Sequence, residues 1–455
     1  MTKSETAIVV LAAGLGTRMR SDLPKVMHPL AGRPMIAHLM ATLQALTPTR
    51  LVVVVGAEMD AVTRAVAPWP TVVQEPRLGT GHALMAAQAA LAGFEGDVLV
   101  VYGDTPLITA ETLQRVLAAR RAAAQPAVVV LGFRPGDPGA YGRLIVGPIG
   151  TLEAIVEAKD ARPEELAVDL CNSGVMAIDG QRLPGLLARL DRDNAKGEYY
   201  LTDIVRFARA DGSACGVVEG DEREFIGINT RADLARAEAI VQDRLRARAM
   251  ADGTTLIDPT SVYFGHDTRL GRDVTVGPGV VFGPGVTVGD RVEIRPFCHL
   301  EGVSIEPGAV IGPFARLRPG ARIGPGAHVG NFVEIKNASV EAGAKVNHLT
   351  YIGDARIGAA ANIGAGTITC NYDGFFKDHT DIGAGAFIGS NTALVAPVKV
   401  GDGAIIGAGS VVARDVPADA LALTRGPHTA KEGWARAFRR LRAAEKAAAQ
   451  ARKKD

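Results

Sequence analysis

Between residues 270 and 412 an aliphatic or equivalent residue returns every six positions, usually with glycine or another small residue behind it. Leu270, Val276, Phe282, Val288, Ile294 and Leu300 keep one phase, and after a five-residue step Ile305, Ile311, Leu317, Ile323, Val329 and Ile335 keep the next. Further short steps lead to Val340, Val346 and Ile352, then to Ile357, Ile363 and Thr369. Beyond an interruption the phase resumes at Ile382, Ile388, Leu394, Val400, Ile406 and Val412. A period of six is neither the 2 of a strand nor the 3.6 of a helix, and it predicts stacked coils, a parallel β-helix. Each hexad reads as a short strand plus a turn, the aliphatic residue pointing inward and the following glycine expected to supply turn conformations closed to larger residues. One coil cannot bury its own core, whereas stacked coils cover one another. A β-sandwich would not hold a six-residue phase over such a length.

From residue 8 to about 229 the pattern changes. Short apolar runs at 8–11, 51–55, 97–101, 128–133 and 175–178 alternate with helical spacing at 35–45, 82–91 and 109–121. That alternation predicts a Rossmann-like α/β domain with a mostly parallel sheet, whose ligands sit beyond the carboxyl ends of the strands. Residues 232–252 combine helical spacing with alternating charges and no internal Gly or Pro before the end, which predicts a connecting helix. The expected division is therefore 1–231, a linker at 232–252, and 253–455.

Composition narrows the function classes. The 50 basic residues are balanced by 49 acidic ones, so no global charge points to nucleic acid. Only the tail from 431 to 455 is basic, and its Arg and Lys lie all round a helical pattern. The four cysteines, Cys171, Cys215, Cys298 and Cys370, are far apart and form no C-x-x-C pair, which indicates neither a zinc knuckle nor a disulfide scaffold and suits a reducing cytoplasm. No segment reaches the roughly 18 apolar residues of a membrane span.

Candidate chemistry sits at the ends of the predicted strands. Leu11-Ala-Ala-Gly-Leu-Gly-Thr-Arg-Met19 follows the first strand, with glycines that let backbone N–H groups approach a phosphate. It is neither a dinucleotide fingerprint, since Met19 replaces the third glycine, nor a Walker A loop. Arg18 and Lys25 are cations that could bring a triphosphate and a sugar phosphate together, Pro24 stiffening the backbone before Lys25. Tyr102-Gly103-Asp104 ends the third run with a carboxylate suited to Mg²⁺, because Thr109 with Glu111 makes the better cap for the next helix; Asn229 could add a second oxygen. Gln74 with Leu78-Gly-Thr-Gly81, Tyr141-Gly-Arg143, Glu157-Ala-Lys159 and Asn172-Ser-Gly174 offer polar ligand walls.

These motifs, with Gly197-Glu-Tyr-Tyr-Leu-Thr-Asp203, resemble the sugar-nucleotidyltransferase family, and within it the branch that joins UTP to N-acetylglucosamine 1-phosphate. The resemblance implies that Leu11, Ala12, Ala13 and Gly14 contact the uridine nucleotide, Lys25 its phosphates, and Gln74, Gly79 and Thr80 the uracil side, with Tyr102 and Gly103 beside them. Gly142, Glu157 and Asn172 would hold the sugar, and Asp104 and Asn229 would bind Mg²⁺. Leu15 departs from relatives that often carry lysine there.

In the hexads, Val346-Asn-His-Leu-Thr-Tyr351 holds polar residues the coils do not require. His348 offers an imidazole, which in its neutral form can accept a proton. Arg318, Lys336, Tyr351 and Asn362 lie one to two coils away and are expected to line one groove with it, and the interruption at 369–380 is expected to leave the helix as a loop. Gly330-Asn-Phe-Val-Glu-Ile-Lys336, His348-Leu-Thr-Tyr351 and 362–373 resemble the hexapeptide acyltransferases, in particular those that acetylate glucosamine 1-phosphate. That resemblance implies a left-handed β-helix, a homotrimer with sites between subunits, and His348 as base. Arg318 and Lys336 would bind the sugar phosphate, and Tyr351, Asn362, Asn371 and Tyr372 would complete the acceptor site. Ala365, Ser390, Ala408 and Arg425 would line the acetyl-CoA channel. Direct attack on the thioester is the expected route, with an acyl-enzyme on Cys370 as the alternative.

The expected whole is a cytoplasmic bifunctional enzyme making UDP-N-acetylglucosamine for peptidoglycan and lipopolysaccharide. A single-activity nucleotidyltransferase with a β-helix for assembly, and a non-catalytic scaffold, are the other readings.

Overall fold

The computed structural model describes residues 5–451 of the 455, so the last four residues of the basic tail lie outside it. The chain falls into two compact units, Met1–Leu270 with Pro278–Val286, and Gly271–Gly277 with Thr287–Asp455.

In the first unit, strands β1 (Thr6–Leu11), β2 (Arg50–Gly56), β3 (Thr71–Gln74), β4 (Asp97–Tyr102), β5 (Val128–Phe133), β6 (Arg143–Val146), β7 (Leu152–Val156), β8 (Cys171–Asp179) and β9 (Cys215–Glu219) build one sheet, ordered β9-β5-β8-β4-β1-β2-β3 with the β6–β7 hairpin off β8. All neighbours on that path are parallel except β8, which runs against β4 and β5. Alternation along β1 sends Ala7, Val9 and Leu11 into one core and Ile8, Val10 and Ala12 into the other, so both faces of the sheet are covered. Strand β8 is longer than the expected 175–178 run. The pattern break at Asn172-Ser173-Gly174 is a register shift within the strand, not its start.

Helices α1 (Met35–Gln44), α2 (Thr80–Ala86), α3 (Ala110–Arg120) and α4 (Asp203–Ala210) flank the sheet. The expected 82–91 helix starts earlier, at Thr80, and ends at Ala86, with a 3-10 turn at Gln88–Leu91. Helix α5 (Arg231–Ala251) occupies the stretch expected to be helical and lies within the first unit. Its start is set by a capping box in which Thr230 Oγ1 accepts from Asp233 N and the Asp233 carboxylate accepts from Thr230 N.

In the second unit the hexads form a three-faced prism. One face stacks His328–Asn331, Lys345–His348, Asn362–Ile363, Phe387–Ile388 and Ile405–Ile406. The next stacks Arg316–Leu317 on Glu334, Tyr351, Ile368, Ala393 and Val411, and the third carries Arg322–Ile323, Ser339, Arg356, Asp381 and Lys399. Leu300 pairs with Leu317 and Ile311 with Val329, so a coil takes seventeen or eighteen residues, the shorter ones containing the five-residue steps. From Val276 to Val412 every phased residue is buried, including Thr369, whose hydroxyl accepts from Gly353 N at 2.8 Å and donates to Gly353 O at 3.1 Å. The parallel coils have the architecture of a left-handed β-helix.

The role expected for the glycines holds at Gly312, directly behind Ile311 (φ 91°), but not along the array as a whole. Gly383, directly behind Ile382, is not left-handed; a Cβ there would lie 2.4 Å from Asp402 N in the next coil, so it permits close stacking of backbones. The left-handed corner comes two residues later, at Gly385 (φ 64°), and Phe297, Phe314, Phe332 and Leu349 occupy such corners without being glycine.

Candidate functional sites

The first site opens at the carboxyl ends of β1, β2, β3 and β4. Ala12 N donates to Val54 O and Gly103 N to Leu11 O, which pins the turn after β1 between its neighbours. A cavity of about 350 Å³ there is lined by the 11–15 turn, Lys25, Gln74, Arg77, Gly79, Thr80, Tyr102 and Asp104. Gly16 is left-handed (φ 66°), and a Cβ on it would lie 2.5 Å from Lys25 Cβ, so the turn and Lys25 require one another.

Lys25 Nζ sits 2.5 Å from Asp104 Oδ2 and 3.1 Å from Asn229 Oδ1. The backbone supports this meeting: Ile228 N donates to Asp104 O, and Asn229 Nδ2 donates to Gly227 O at 3.2 Å, which turns Oδ1 toward the ammonium. Thr109, not Asp104, caps α3 by accepting from Thr112 N, so the Asp104 carboxylate is left for the site. A carboxylate and an amide oxygen side by side fit a hard cation that keeps waters or phosphates as its other ligands. Among the described residues no cluster of three or more His, Cys, Asp or Glu forms a self-sufficient metal cage.

Gln74 Nε2 donates to Gly79 O at 2.9 Å. Gly79 (φ 106°) packs so tightly on the 198–199 backbone that a Cβ would meet Tyr199 O at 2.7 Å, while Tyr199 N donates to Leu78 O and Gly81 N to Tyr199 O. The Leu78-Gly-Thr-Gly and Gly197-Glu-Tyr-Tyr motifs thus form one wall. Thr80 accepts from Leu201 N at 3.2 Å, and burial pushes the Tyr102 phenol well above its ordinary range.

Gly142, Glu157 and Asn172 come together outside the lining of that cavity. Asn172 N donates to Gly142 O at 2.8 Å, and Gly142 faces the Glu157 carboxylate. Burial raises the Glu157 carboxyl above its usual range, against the pull of Lys196. The buried Arg143 guanidinium holds the preceding loop by donating to the carbonyls of Pro138, Gly139 and Tyr141. Arg18 lies exposed on a 3-10 turn bracketed by the left-handed Gly16 and Arg20 and is not on the cavity wall. Arg77 is, and the sequence reading overlooked it.

The second set of residues occupies two edges of one prism face rather than one groove. On one edge His348 Nδ1 lies 2.8 Å from Asn331 Oδ1, and Gly366 N donates to His348 O. Register continues this edge through Ala365, Ser390 and Ala408: Asn391 N donates to Ala365 O, Gly409 N to Ser390 O, and Arg425 Nη1 to Ala408 O at 3.0 Å. Asn362 stands on the adjoining face between Lys345 and Phe387.

On the other edge Arg318 follows Leu317 and Lys336 follows Ile335. Arg318 pairs with Glu334 at 2.8 Å, and Tyr351 stacks in register on Glu334. Asp354 accepts from Asn337 Nδ2 and Asn371 Nδ2. Burial works against the charged form of Asp354, yet those amides and the Lys377 and Lys336 ammoniums outweigh it and hold the carboxyl below its ordinary range. Lys377, on the 371–379 loop, is a further residue the sequence reading missed; its ammonium depresses that of Lys336. Two lysines beside Arg318 make a polycationic pocket suited to a phosphate. Tyr372 is exposed, its hydroxyl donating to Gly374 O at 2.6 Å. Within one chain, therefore, His348 and Asn371 stand on opposite edges of the face that carries Tyr351.

Among the described residues no helix is long and apolar enough to cross a membrane. Comparison with known proteins places both units. Residues 8–166 match the family of MobA-like NTP transferase domains, and 267–302, 302–337 and 379–414 match the bacterial transferase hexapeptide family. Curated relatives named "Bifunctional protein GlmU" are similar over nearly the whole chain. That of Paramagnetospirillum magneticum is 65% identical over 98% of this chain and 99% of its own, and that of Rhodospirillum rubrum 67% identical over 96% and 98%. The protein of that name from Rhizorhabdus wittichii is 59% identical over 98% of this chain and 100% of its own.

Proposed function

Because this chain belongs to the GlmU family of bifunctional proteins, we propose the following roles for its residues in each of two reactions. The enzyme acetylates glucosamine 1-phosphate from acetyl-CoA, then transfers a uridylyl group from UTP to the N-acetylglucosamine 1-phosphate formed, giving UDP-N-acetylglucosamine and pyrophosphate. Residues 1–231 carry the second reaction, 232–252 link, and 253–455 carry the first.

In uridylyl transfer the sugar phosphate oxygen attacks the α-phosphorus of UTP in line and pyrophosphate leaves, so the protein's task is positioning and charge neutralisation. The turn 11–14 receives the nucleotide, Gln74, Gly79 and Thr80 take the uracil side, and Tyr102 and Gly103 close the floor. Gly142, Glu157 and Asn172 hold the sugar. Lys25, now spent on Asp104 and Asn229, turns to the phosphates, with Arg18 reaching in from the exposed turn. Asp104 and Asn229 would then hold Mg²⁺, which when bound supplies neutralisation of phosphate charge.

In acetyl transfer the amine of glucosamine 1-phosphate attacks the thioester carbonyl and His348 takes the proton. Arg318 and Lys336 bind the sugar phosphate, Tyr351, Asn362, Asn371 and Tyr372 complete the acceptor site, and Ala365, Ser390, Ala408 and Arg425 guide the coenzyme. Since the two edges are separated within one chain, the site is completed between copies of a cytoplasmic homotrimer. The exposed stack of Phe297, Phe314 and Phe332, with centroids 5.1 and 5.2 Å apart, offers an apolar surface for such a neighbour.

The observation that carries this reading is the convergence of Lys25, Asp104 and Asn229 from three separate segments, with Lys25 and Asp104 on the wall of the cavity behind β1. A coupled assay with glucosamine 1-phosphate, acetyl-CoA, UTP and Mg²⁺, each omitted in turn, tests it. UDP-N-acetylglucosamine should form only with all four. Retained acetyl transfer in His348→Ala would remove the role given to that histidine.

A further inference from the structure

The nucleotide cavity has two cations on its wall, and only Lys25 has a role so far. The other is Arg77, between β3 and α2. Its Nε donates to Ala13 O at 2.7 Å, and Nη2 reaches Ala57 O at 3.5 Å. Among the described residues no carboxylate pairs with it, in contrast to Lys25 and to arginines of this unit such as Arg120, Arg121 and Arg209. An arginine whose only partners are carbonyl oxygens keeps its full charge for an incoming anion. Its fork can hold a carbonyl with one edge and an anion with the other.

A second observation shows that the fold reserves space for this group. Gly56, the last residue of β2, has no side chain, and a Cβ there would lie 2.0 Å from Arg77 Nη2 and 2.7 Å from its Cζ. Any larger residue at 56 would evict the guanidinium from its seat beneath the turn. Gly56 itself is buried and is not on the cavity wall.

We propose that Arg77 is a positioning residue for the nucleotide: it fixes the 11–14 turn through the carbonyl of Ala13 and presents its remaining N–H groups to the UTP phosphates. The inference rests on the uridylyl-transfer reading above. It concerns the nucleotide alone, because Gly142, Glu157 and Asn172 lie outside this cavity.

The test is steady-state kinetics of uridylyl transfer with the full-length protein. Arg77→Ala should raise KM for UTP about tenfold, leave KM for N-acetylglucosamine 1-phosphate within about twofold, and leave acetyl transfer unchanged. Guanidinium chloride at low millimolar concentration should restore part of the loss in Arg77→Ala and none in Lys25→Ala. Arg77→Lys should recover less than half of it, since one ammonium cannot serve Ala13 O and a phosphate together. Gly56→Ala, which leaves Arg77 in the chain but displaces it, should move KM for UTP in the same direction, and it carries the test should Arg77→Ala fail to fold. An unchanged KM for UTP in either variant, or an equal rise for both substrates, overturns the proposal. Absence of uridylyl transfer in the unaltered protein would instead overturn the parent reading.

Discussion

His348 Nδ1 and Asn331 Oδ1 are 2.8 Å apart, joined across one coil of the prism. An amide oxygen can only accept, so Nδ1 carries the proton and the lone pair lies on Nε2, the outward nitrogen. Asn331 therefore sets the tautomer that a base needs. Asn331→Ala should lower kcat for acetyl transfer about tenfold to a hundredfold while uridylyl transfer is unchanged. Separate assays of the two half-reactions check it, and equal loss in both would point to a folding defect instead.

Lys25 bridges Asp104 and Asn229, and its removal leaves a partly buried carboxylate with only the amide beside it. Uridylyl turnover in Lys25→Ala should fall by about a hundredfold. Thermal denaturation should shift far less, because the site is open to water. A Tm loss as severe as the activity loss would show that Lys25 is structural.

Chelation should divide the two activities. Asp104 and Asn229 supply two oxygens and no cage, so bound metal should exchange readily. EDTA should abolish uridylyl transfer, added Mg²⁺ should restore it, and acetyl transfer should continue throughout. Loss of acetyl transfer on chelation would contradict the assignment of Mg²⁺ to the first unit alone.

These sites were unequally legible in the sequence. The inward column of the prism could be read directly, because a coil with one aliphatic residue per face forces a six-residue phase and shows its short steps. Which polar residues become neighbours could not, since Asn331 meets His348 only through a seventeen-residue register, and the two prism edges look like one groove when laid along the chain. The motif at 11–19 marked the turn that lines the first cavity, but not that left-handed residues at 16 and 20 leave Arg18 outside while Arg77 folds back onto Ala13. The signal for Arg77 was its place just before Leu78-Gly-Thr-Gly. The antiparallel direction of β8 has no local signature, because alternation does not encode strand polarity.

Glu157 provides a pH-dependent prediction. Burial raises its carboxyl pKa in the folded protein, so the folded state holds that proton more tightly than the unfolded one. Its contribution to stability is complete below the ordinary carboxylate pKa and is lost as pH rises through the raised value. Glu157→Gln should therefore be more stable than the parent at neutral pH, by about 2–4 °C in Tm per kcal/mol relieved, and no more stable at acid pH. Melting curves across that range check it, and a variant equally stable at every pH would refute it. Its uridylyl transfer should fall, through KM for the sugar phosphate.

Lys377 and Lys336 repel one another on the far edge of the same face as His348, and the ammonium of Lys336 is correspondingly depressed, with Arg318 adding to the effect. A phosphate bound here would relieve such repulsion, so with the sugar phosphate at this edge part of the preference for glucosamine 1-phosphate over glucosamine would be stored in this pair. Lys377→Ala should raise KM for glucosamine 1-phosphate about tenfold with kcat held nearly constant. Lys336 would then keep its proton to higher pH, so the alkaline limb of kcat/KM, which reports the free enzyme, should move upward in pH. A variant whose limb stays in place would show that Lys336 is not the group titrating there. One whose kcat falls with KM unchanged would assign Lys377 to the chemical step and not to phosphate binding.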